Sequence, residues 1–236
     1  VPVNRFILNR TGWVQVGSAV LLVIIAVIAL VTTDGEPMLQ RWVGFMFLGL
    51  LAAYLYVTYL WAKQGSDLSV EEEVSEHELM SLGKSWTLVI GGLVMVIIGA
   101  RILVPSASEI AMRFGVPDDV IAATMVAFGT SLPELMTAIA AIRKGHPEIT
   151  VGNIVGADVL NVLFVIGAAA AAVPLAIPPN FFYFHFPAML IILFSFRVFI
   201  SMNREGVFHR WQGAWLLGVY ITYVVLQYAL NIGAAH

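Results

Sequence analysis

Two hydroxyl groups and one carboxylate lie close together in a stretch of the chain that is otherwise apolar. Thr130, Ser131 and Glu134 fall within residues 120–142, and their helical spacing places them on one face together with the backbone of Ala127. Carboxylate, hydroxyl and carbonyl oxygens are the ligands that hard cations such as Ca²⁺ take in proteins. These residues therefore predict an all-oxygen cation site inside a helix.

Pro133 stands within this group and interrupts the helix. A proline removes one backbone donor and leaves a carbonyl about four residues earlier without its helical bond. Inside a membrane, broken backbone is tolerated only where it is buried in protein or lines a cavity. Placing a charged carboxylate near the centre of a membrane span costs at least ~2.5 kcal/mol. This cost favours a functional role for Glu134 over a structural hydrogen bond to a neighbouring helix. Without that carboxylate, the two hydroxyls would be interpreted as bonding to their own backbone.

The next apolar segment, residues 149–173, carries Asp158 and Asn161. Glu134 lies about 14 residues into its segment and Asn161 about 12 residues into the next, so at about 1.5 Å per residue both reach nearly the same depth. Two antiparallel helices would then present oxygen ligands to one point. Asp158 can be a ligand, a proton relay or a structural partner of another helix. For Asn161 the alternative is an interhelical hydrogen bond.

The composition is that of a polytopic membrane protein. Of the 236 residues, 60% are hydrophobic and 11% are charged, and the mean hydropathy is +0.89. This composition, with a net charge of −3, argues against nucleic acid as a partner, and cysteine is absent. The sequence has no glycine-rich phosphate loop, no paired-histidine metal motif and no nucleophile motif. We therefore predict that the protein is not an enzyme and holds no cofactor.

Seven segments have the length and apolar character to cross a bilayer, which takes about 20 residues as a helix. They are residues 13–31, 42–61, 86–111, 120–142, 149–173, 181–200 and 211–230. We number these predicted spans helix one to helix seven, and together they predict an all-α membrane protein.

Lys and Arg residues near the helix ends are unequally distributed between the two faces of the membrane. One face holds Arg5, Arg10, Lys63, Lys84, Arg143, Lys144, Arg204 and Arg210, and the other holds Arg41 and Arg113. The positive-inside rule then predicts a cytoplasmic N-terminus and an external C-terminus. Arg197, near the cytoplasmic end of helix six, is predicted to extend its charge to the membrane interface.

The starts of helices two and seven are similar. Residues 41–44 read Arg-Trp-Val-Gly, and residues 210–213, which lie 169 positions later, read Arg-Trp-Gln-Gly. The same register aligns Tyr54 with Tyr223. Because helix seven is the fifth span after helix two, the two cross the membrane in opposite directions, as in the inverted repeats of many secondary transporters. Helices three, four and five have no counterpart in this register.

The repeat divides the chain into three parts. Residues 1–62 are predicted to be the last two helices of a first repeat, residues 63–83 a cytoplasmic loop, and residues 84–236 a complete five-helix second repeat. The loop is acidic over residues 71–78, which favours a solvated linker, with a cation-sensing or regulatory role as the alternative. The first three helices of the first repeat are expected to be missing from the chain.

Residues 129–135, Gly-Thr-Ser-Leu-Pro-Glu-Leu, and residues 152–156, Gly-Asn-Ile-Val-Gly, resemble the α-repeat of the cation/calcium exchanger superfamily, specifically of the prokaryotic sodium/calcium antiporters. The resemblance places this α-repeat at residues 118–173. It implies ten helices in two inverted repeats, each giving its second and third helices to a central cation site. Glu134 is then the principal carboxylate ligand. The other implied ligands are Thr130, Ser131, the carbonyl of Ala127 and Asn161.

Three residues of helix five depart from the family pattern. Where the family commonly has serine, the chain has Ala157, which removes a hydroxyl that would help to bind Na⁺. Where it often has asparagine, the chain has Asp158, which adds a charge, and Asn161 stands where some second repeats have aspartate. The chain thus retains the features for Ca²⁺ binding more fully than those for Na⁺ coupling.

With this resemblance, the sequence predicts an antiporter of a prokaryotic inner membrane that exchanges Ca²⁺ for Na⁺ by alternating access, with the lipid bilayer and these cations as its partners. A Ca²⁺/H⁺ antiporter, in which Glu134 and Asp158 titrate, is the alternative within the same fold. A non-transporting or incomplete membrane subunit is the alternative outside it, because a missing first α-repeat or a second copy of the chain is needed to complete the site.

Overall fold

The structure is a computed structural model that describes residues 5–33, 35–66, 82–116, 118–145, 147–202 and 208–230. The described chain is almost entirely helical, which confirms the predicted all-helical class. The acidic residues 71–78 of the predicted loop lie outside the described residues.

The elements follow the order of the predicted spans. The helices are α1 (Arg5–Thr32), α2 (Arg41–Ser66), α3 (Leu82–Arg113), α4 (Asp118–Ile121), α5 (Ala127–Thr130), α6 (Leu132–Arg143), α7 (Pro147–Leu160), α8 (Gly167–Ala172), α9 (Phe186–Met202) and α10 (Arg210–Ala229). The π-helical segments are π1 (Ala122–Val126), π2 (Asn161–Ile166) and π3 (Phe181–His185), and the strands are β1 (Met38–Leu39) and β2 (Leu175–Ala176). Helix four thus runs from α4 through π1 and α5 to α6, and helix five from α7 through π2 to α8.

Five of the described helical stretches are long and apolar enough to cross a membrane. They are Arg10–Thr32, Arg41–Trp61, Trp86–Arg113, Ile149–Ala172 and Phe181–Met202. Helix four supplies a sixth when its two parts are taken as one bent span. The seventh predicted span corresponds to α10, which has 20 residues but includes Gln212 and Gln227. A membrane crossing by α10, and with it the count of seven, stays a prediction.

Residues 1–68 and 141–223 form one compact unit, in which α1 and α2 pack against helix five. Its core includes Ala26 of α1, Phe47 of α2 and Val159 of α7, each 0% exposed. Lipid is as apolar as these side chains, so close packing favours this association more than the hydrophobic effect does. The antiparallel pairing of β1 with β2 joins the chain before α2 to the chain after α8.

The contact between α2 and α8 depends on small residues. A Cβ atom at Gly44 would lie 2.6 Å from the carbonyl oxygen of Gly167 and 2.7 Å from the carbonyl carbon of Ala170, so the position requires glycine. Small residues of this kind allow membrane helices to approach closely. At the same end of the contact, Arg41 donates a hydrogen bond to the carbonyl oxygen of Ala172, one of the carbonyls that a helix C-terminus leaves without a partner.

The first turns of α2 and α10 have the same hydrogen-bond geometry. The backbone amides of residues 43 and 44 donate to the carbonyl of Gln40 over 3.0 and 3.4 Å, and those of residues 212 and 213 donate to the carbonyl of His209 over 3.0 and 3.4 Å. Corresponding residues are 169 positions apart, which is the register of the sequence repeat. Bonds of this kind open many α-helices, so the equivalence of the two helices stays a prediction.

Arg197 of α9 is only 5% exposed, and its guanidinium lies 4.7 Å from the centre of the Trp13 ring. The prediction that its charge extends to the membrane interface is therefore wrong. The physical reason is that α9 packs against α1, where Gly12 leaves room for the arginine side chain. A guanidinium over an indole ring gains a cation–π attraction within the protein.

Residues 69–140 and 224–236 form the second compact unit. In it, α3 packs against π1 and α5 of helix four. Gly129 of α5 is buried against Val104 of α3, and a Cβ atom at Gly129 would overlap the Val104 Cγ2 atom. Packing against α3 therefore requires glycine at the position just before Thr130, and this contact fixes the side of α5 that faces α3.

Candidate cation site

Helix four is interrupted where the proline predicts it. α5 ends at Thr130 and α6 begins at Leu132, and the two parts of the helix make an angle of 54°. Ser131 lies between them with φ −94° and ψ 4°, outside the helical region. Pro133 is the second residue of α6, where its missing amide would have no partner in any case. The break therefore sets two hydroxyl-bearing residues at a bend in the backbone.

Glu134 is in the first turn of α6 and is half-buried. Its Oε2 atom is buried and has no hydrogen-bond partner among the described residues. A buried carboxylate oxygen without a donor or a cation is costly, because its lost hydration is not replaced. The position next to a helix N-terminus offsets only part of this cost. The role of Glu134 as a cation ligand, in which a cation would supply the missing contact, stays a prediction.

Thr130 and Ser131 are both exposed at the bend. The Thr130 hydroxyl donates to the carbonyl oxygen of Ala127 over 3.0 Å, and the backbone amide of Ser131 donates to the same oxygen over 3.1 Å. Since the Thr130 hydroxyl donates its hydrogen, its oxygen keeps lone pairs that can accept a cation. The Ala127 carbonyl, by contrast, already accepts two hydrogen bonds. Its role as a ligand stays a prediction and requires that one of those bonds be released.

Both helices of the α-repeat contain a π-helical segment next to the predicted ligands. In helix four, π1 ends directly before Ala127, and in helix five, π2 begins at Asn161. A π-helical turn is wider than an α-helical turn and occurs often at functional sites. The polar residues thus lie where the regular helical hydrogen bonding changes in both helices.

Asp158 has a partner that the sequence did not predict. Its Oδ2 atom accepts a hydrogen bond from Nε2 of Gln15, which is in α1. Of the three roles left open for Asp158, the structure shows pairing with another helix, and the roles of cation ligand and proton relay stay predictions. Asn161, three residues further on, is exposed in this unit and lies at the start of π2.

The predicted ligands belong to two different units of the chain. Ala127, Thr130, Ser131 and Glu134 are in the second unit, whereas Asp158 and Asn161 are in the first. In helix four, the Thr130 hydroxyl and the Ser131 amide meet at the Ala127 carbonyl, and Glu134 lies in the first turn after the bend. That they meet Asn161 at one cation stays a prediction. Within the described residues, no three carboxylate or imidazole side chains cluster in a way that could hold a metal ion.

Gln15 is the residue of this region that the sequence interpretation missed. It lies in the apolar stretch Arg10–Thr32 and is 1% exposed. A signal was present, because a glutamine in a membrane-spanning segment faces protein in nearly all cases and needs a polar partner. The partner itself could not be found from spacing, because Gln15 and Asp158 are 143 positions apart.

A bent, proline-broken helix with a half-buried carboxylate is the kind of element that secondary cation transporters use for their ion sites. Comparison with known proteins indicates the same class, the secondary cation transporters. The sodium/calcium exchanger protein family matches residues 84–229 of the chain. The chain belongs to this family.

Two relatives illustrate the extent of the match. The sodium/calcium exchanger MaX1 of Methanosarcina acetivorans is 34% identical over 133 residues, which cover 56% of this chain and 37% of the relative. The inner membrane protein YrbG of Escherichia coli is 30% identical over 218 residues, which cover 89% of this chain and 66% of the relative. The chain thus spans less than two thirds of the length of either relative.

Among solved structures, the sodium-calcium exchanger NCX_Mj, soaked with zero Na⁺ and Ca²⁺, has a similar fold. The TM-score is 0.58 at 24% sequence identity, and the match covers 93% of this chain and 71% of that chain. This likeness shows the fold of the chain.

Proposed function

We propose that the chain forms the larger part of a secondary antiporter that exchanges Ca²⁺ for Na⁺ across a membrane by alternating access. In this proposal Glu134 binds either Ca²⁺ or Na⁺ at different stages of the transport cycle. The two ions therefore compete for the same carboxylate. Thr130 and Ser131 contribute neutral oxygen ligands from the bend of helix four, and Asn161 contributes its amide oxygen from helix five. The protein catalyses no chemical reaction in this role and needs no cofactor.

The observation that carries the proposal is the buried, unpartnered Oε2 atom of Glu134 beside the break in helix four. A structural carboxylate would be expected to have a donor, since an unpaired buried acceptor costs about 1–3 kcal/mol. A cation removes this cost when it binds, and the exposed oxygen of Thr130 gives it a second ligand at the same bend. Membership of the sodium/calcium exchanger family supports the choice of cations.

The ligands of this chain do not fill the coordination shell of Ca²⁺, which takes about 6–8 oxygen atoms. We therefore propose that a first α-repeat completes the site, either on the same polypeptide or from a second copy. The similarity of residues 41–44 and 210–213, on which the predicted inverted repeat depends, supports this proposal. In this arrangement helices one and two close the first repeat, as helices six and seven close the second.

The orientation proposed for the chain has the N-terminus in the cytoplasm and the C-terminus outside, with seven spans. The unequal distribution of Lys and Arg supports this orientation. A prokaryotic inner membrane is the proposed location, and the match to an inner membrane protein of Escherichia coli supports it.

Exchange of Ca²⁺ for H⁺ is the second candidate function. Two residues of helix five favour it, because Ala157 lacks a hydroxyl that would help to bind Na⁺ and Asp158 adds a carboxylate that can carry a proton. Glu134 would then exchange its cation for a proton as well.

Uptake of radioactive Ca²⁺ into membrane vesicles that contain the intact transporter distinguishes the two functions. A Na⁺ gradient without a pH gradient should drive uptake if Na⁺ is the coupling ion. Uptake driven only by a pH gradient would establish Ca²⁺/H⁺ exchange instead. The absence of uptake with either gradient would favour a non-transporting subunit and contradict both proposals.

A further inference from the structure

One helix outside the predicted cation site has a buried polar face. Thr11, Gln15 and Ser18 of α1 are 9%, 1% and 6% exposed, and their helical spacing places them on one side. We call these three residues the polar face of α1. Polar side chains inside a membrane span face protein and mark functional contacts in most cases. The polar face is therefore a contact surface, and α1 packs against both α7 and α9.

Gln15 makes a specific contact from this face. Its Nε2 atom donates to Oδ2 of Asp158, and the Ser18 hydroxyl donates to its backbone carbonyl over 2.9 Å. Its Oε1 atom is buried and has no partner among the described residues. An aliphatic side chain would avoid the cost of that unpaired oxygen. An aliphatic side chain could not, however, donate the hydrogen bond that Gln15 makes to the carboxylate of Asp158.

Asp158 lies on helix five between the side that packs against other helices and the side that is exposed. Val155 and Val159 on either side of it are 0% exposed and form the packed face of α7. Asn161 is exposed, and Asp158 is half-buried at the border between the packed and the open face. A carboxylate at this border has two oxygens that can serve two different partners.

We propose that Gln15 is a positioning residue of the exchange site. By holding Oδ2 of Asp158 from α1, it fixes the orientation of the carboxylate and leaves Oδ1 as the oxygen that contacts a transported cation. Gln15 itself does not touch the cation. This inference rests on the proposed antiport function and on the predicted role of Asp158 as a cation ligand, and it extends the site from the two helices of the α-repeat to helix one.

A purely structural contact and a positioning contact differ in what they change. Loss of a structural contact lowers the amount of folded protein but leaves the apparent KM for the transported ions unchanged. Loss of a residue that orients a metal ligand lowers cation affinity, by roughly ten- to a hundredfold in other sites. The apparent KM is therefore the measurement that separates the two roles.

The first variant is Gln15→Met, which keeps the length of the side chain and removes the donor. Its matched control is Gln227→Met, because Gln227 is also 1% exposed, also has an unpartnered Oε1 atom and lies in α10. In vesicles containing the intact transporter, Gln15→Met should raise the apparent KM for Ca²⁺ by about tenfold or more, and Gln227→Met should leave it unchanged. An unchanged KM in folded Gln15→Met, or an equal rise in both variants, would overturn the proposal.

If Gln15→Met does not fold, the double variant with Gln15→Glu and Asp158→Asn tests the proposal instead. It keeps an amide and a carboxylate in contact, but it moves the carboxylate from helix five to α1. The proposal predicts that this pair restores folding while the KM for Ca²⁺ stays raised, and a wild-type KM would overturn it. Failure of the antiport function is distinguishable, because the wild-type vesicles would then take up no Ca²⁺ with either gradient.

Discussion

Arg41 at the start of α2 donates a hydrogen bond from Nη2 to the carbonyl oxygen of Ala172 at the end of α8, over 2.6 Å. The two residues are 131 positions apart in the sequence. A cation at the C-terminus of a helix also interacts favourably with the helix dipole. This contact fixes the end of helix five, the helix that carries Asp158 and Asn161, to the start of helix two.

Replacement of this arginine tests the contribution of the contact to stability. Arg41→Met should lower the free energy of unfolding by about 1 kcal/mol, the net value of a typical hydrogen bond, since Arg41 is partly hydrated. Thermal unfolding of the purified protein in detergent measures the change. Arg113→Met is the control, because Arg113 makes an exposed ion pair with Glu109 that contributes little. An equal loss of stability in the two variants would contradict the assigned role of Arg41.

Two glycines of α2 should respond in opposite directions to the same substitution. Gly44→Ala places a methyl group against the backbone of α8 and should lower the free energy of unfolding by about 1–3 kcal/mol. Gly49→Ala meets no atom within 4 Å and should stabilise the helix by about 0.5–1 kcal/mol. Thermal unfolding of both variants in detergent checks the signs. A stabilising effect of Gly44→Ala would contradict the close approach of α2 and α8.

The hydroxyl of Thr130 should be needed for ion binding and not for folding. Thr130→Val should raise the apparent KM for Ca²⁺ about tenfold, because a hydrogen-bond-like contact to a charged group is worth roughly 1.5 kcal/mol or more. Ca²⁺ uptake into vesicles at several Ca²⁺ concentrations gives the KM. Thr222→Val is the control, since the Thr222 hydroxyl likewise donates to its own helix, at the carbonyl of Gly218 over 2.8 Å. A wild-type KM for Thr130→Val would remove Thr130 from the proposed site.

The orientation of the chain can be tested with single cysteines, because these 236 residues include none. Phe114→Cys, at a position that is 84% exposed between helices three and four, should react with a membrane-impermeant maleimide in intact cells. Lys144→Cys, at the exposed turn between helices four and five, should react only after the membrane is permeabilised. The reverse pattern would show that the positive-inside rule gives the wrong orientation for this chain.

The local features of the fold could be predicted from the sequence because their causes are local. The break in helix four follows from Pro133, and the helical class follows from apolar segments of bilayer length. The similar starts of α2 and α10, Arg-Trp-Val-Gly and Arg-Trp-Gln-Gly, form matching first turns, and their equivalence in an inverted repeat stays a prediction.

The contacts between helices distant in sequence could not be predicted, because a single sequence carries no signal for them. For Asp158 the sequence indicates three possible roles, and only the structure shows that Gln15 is its partner. Arg197 was assigned to the membrane interface because its partner, the ring of Trp13, lies in a helix at the other end of the chain. In both cases the residue type showed that a polar group had to be satisfied, but not which partner satisfied it.

The most direct test of the proposed function is Ca²⁺ uptake by the variant Glu134→Gln, which keeps the size of the side chain and removes its charge. Its control is Glu109→Gln, at an exposed glutamate that pairs with Arg113 in α3. Membrane vesicles containing equal amounts of each inserted protein are loaded with Na⁺ and given radioactive Ca²⁺. The proposal predicts that exchange is abolished in Glu134→Gln and retained in Glu109→Gln, with membrane insertion unaffected in both. Ca²⁺ uptake by Glu134→Gln at the wild-type rate would contradict it.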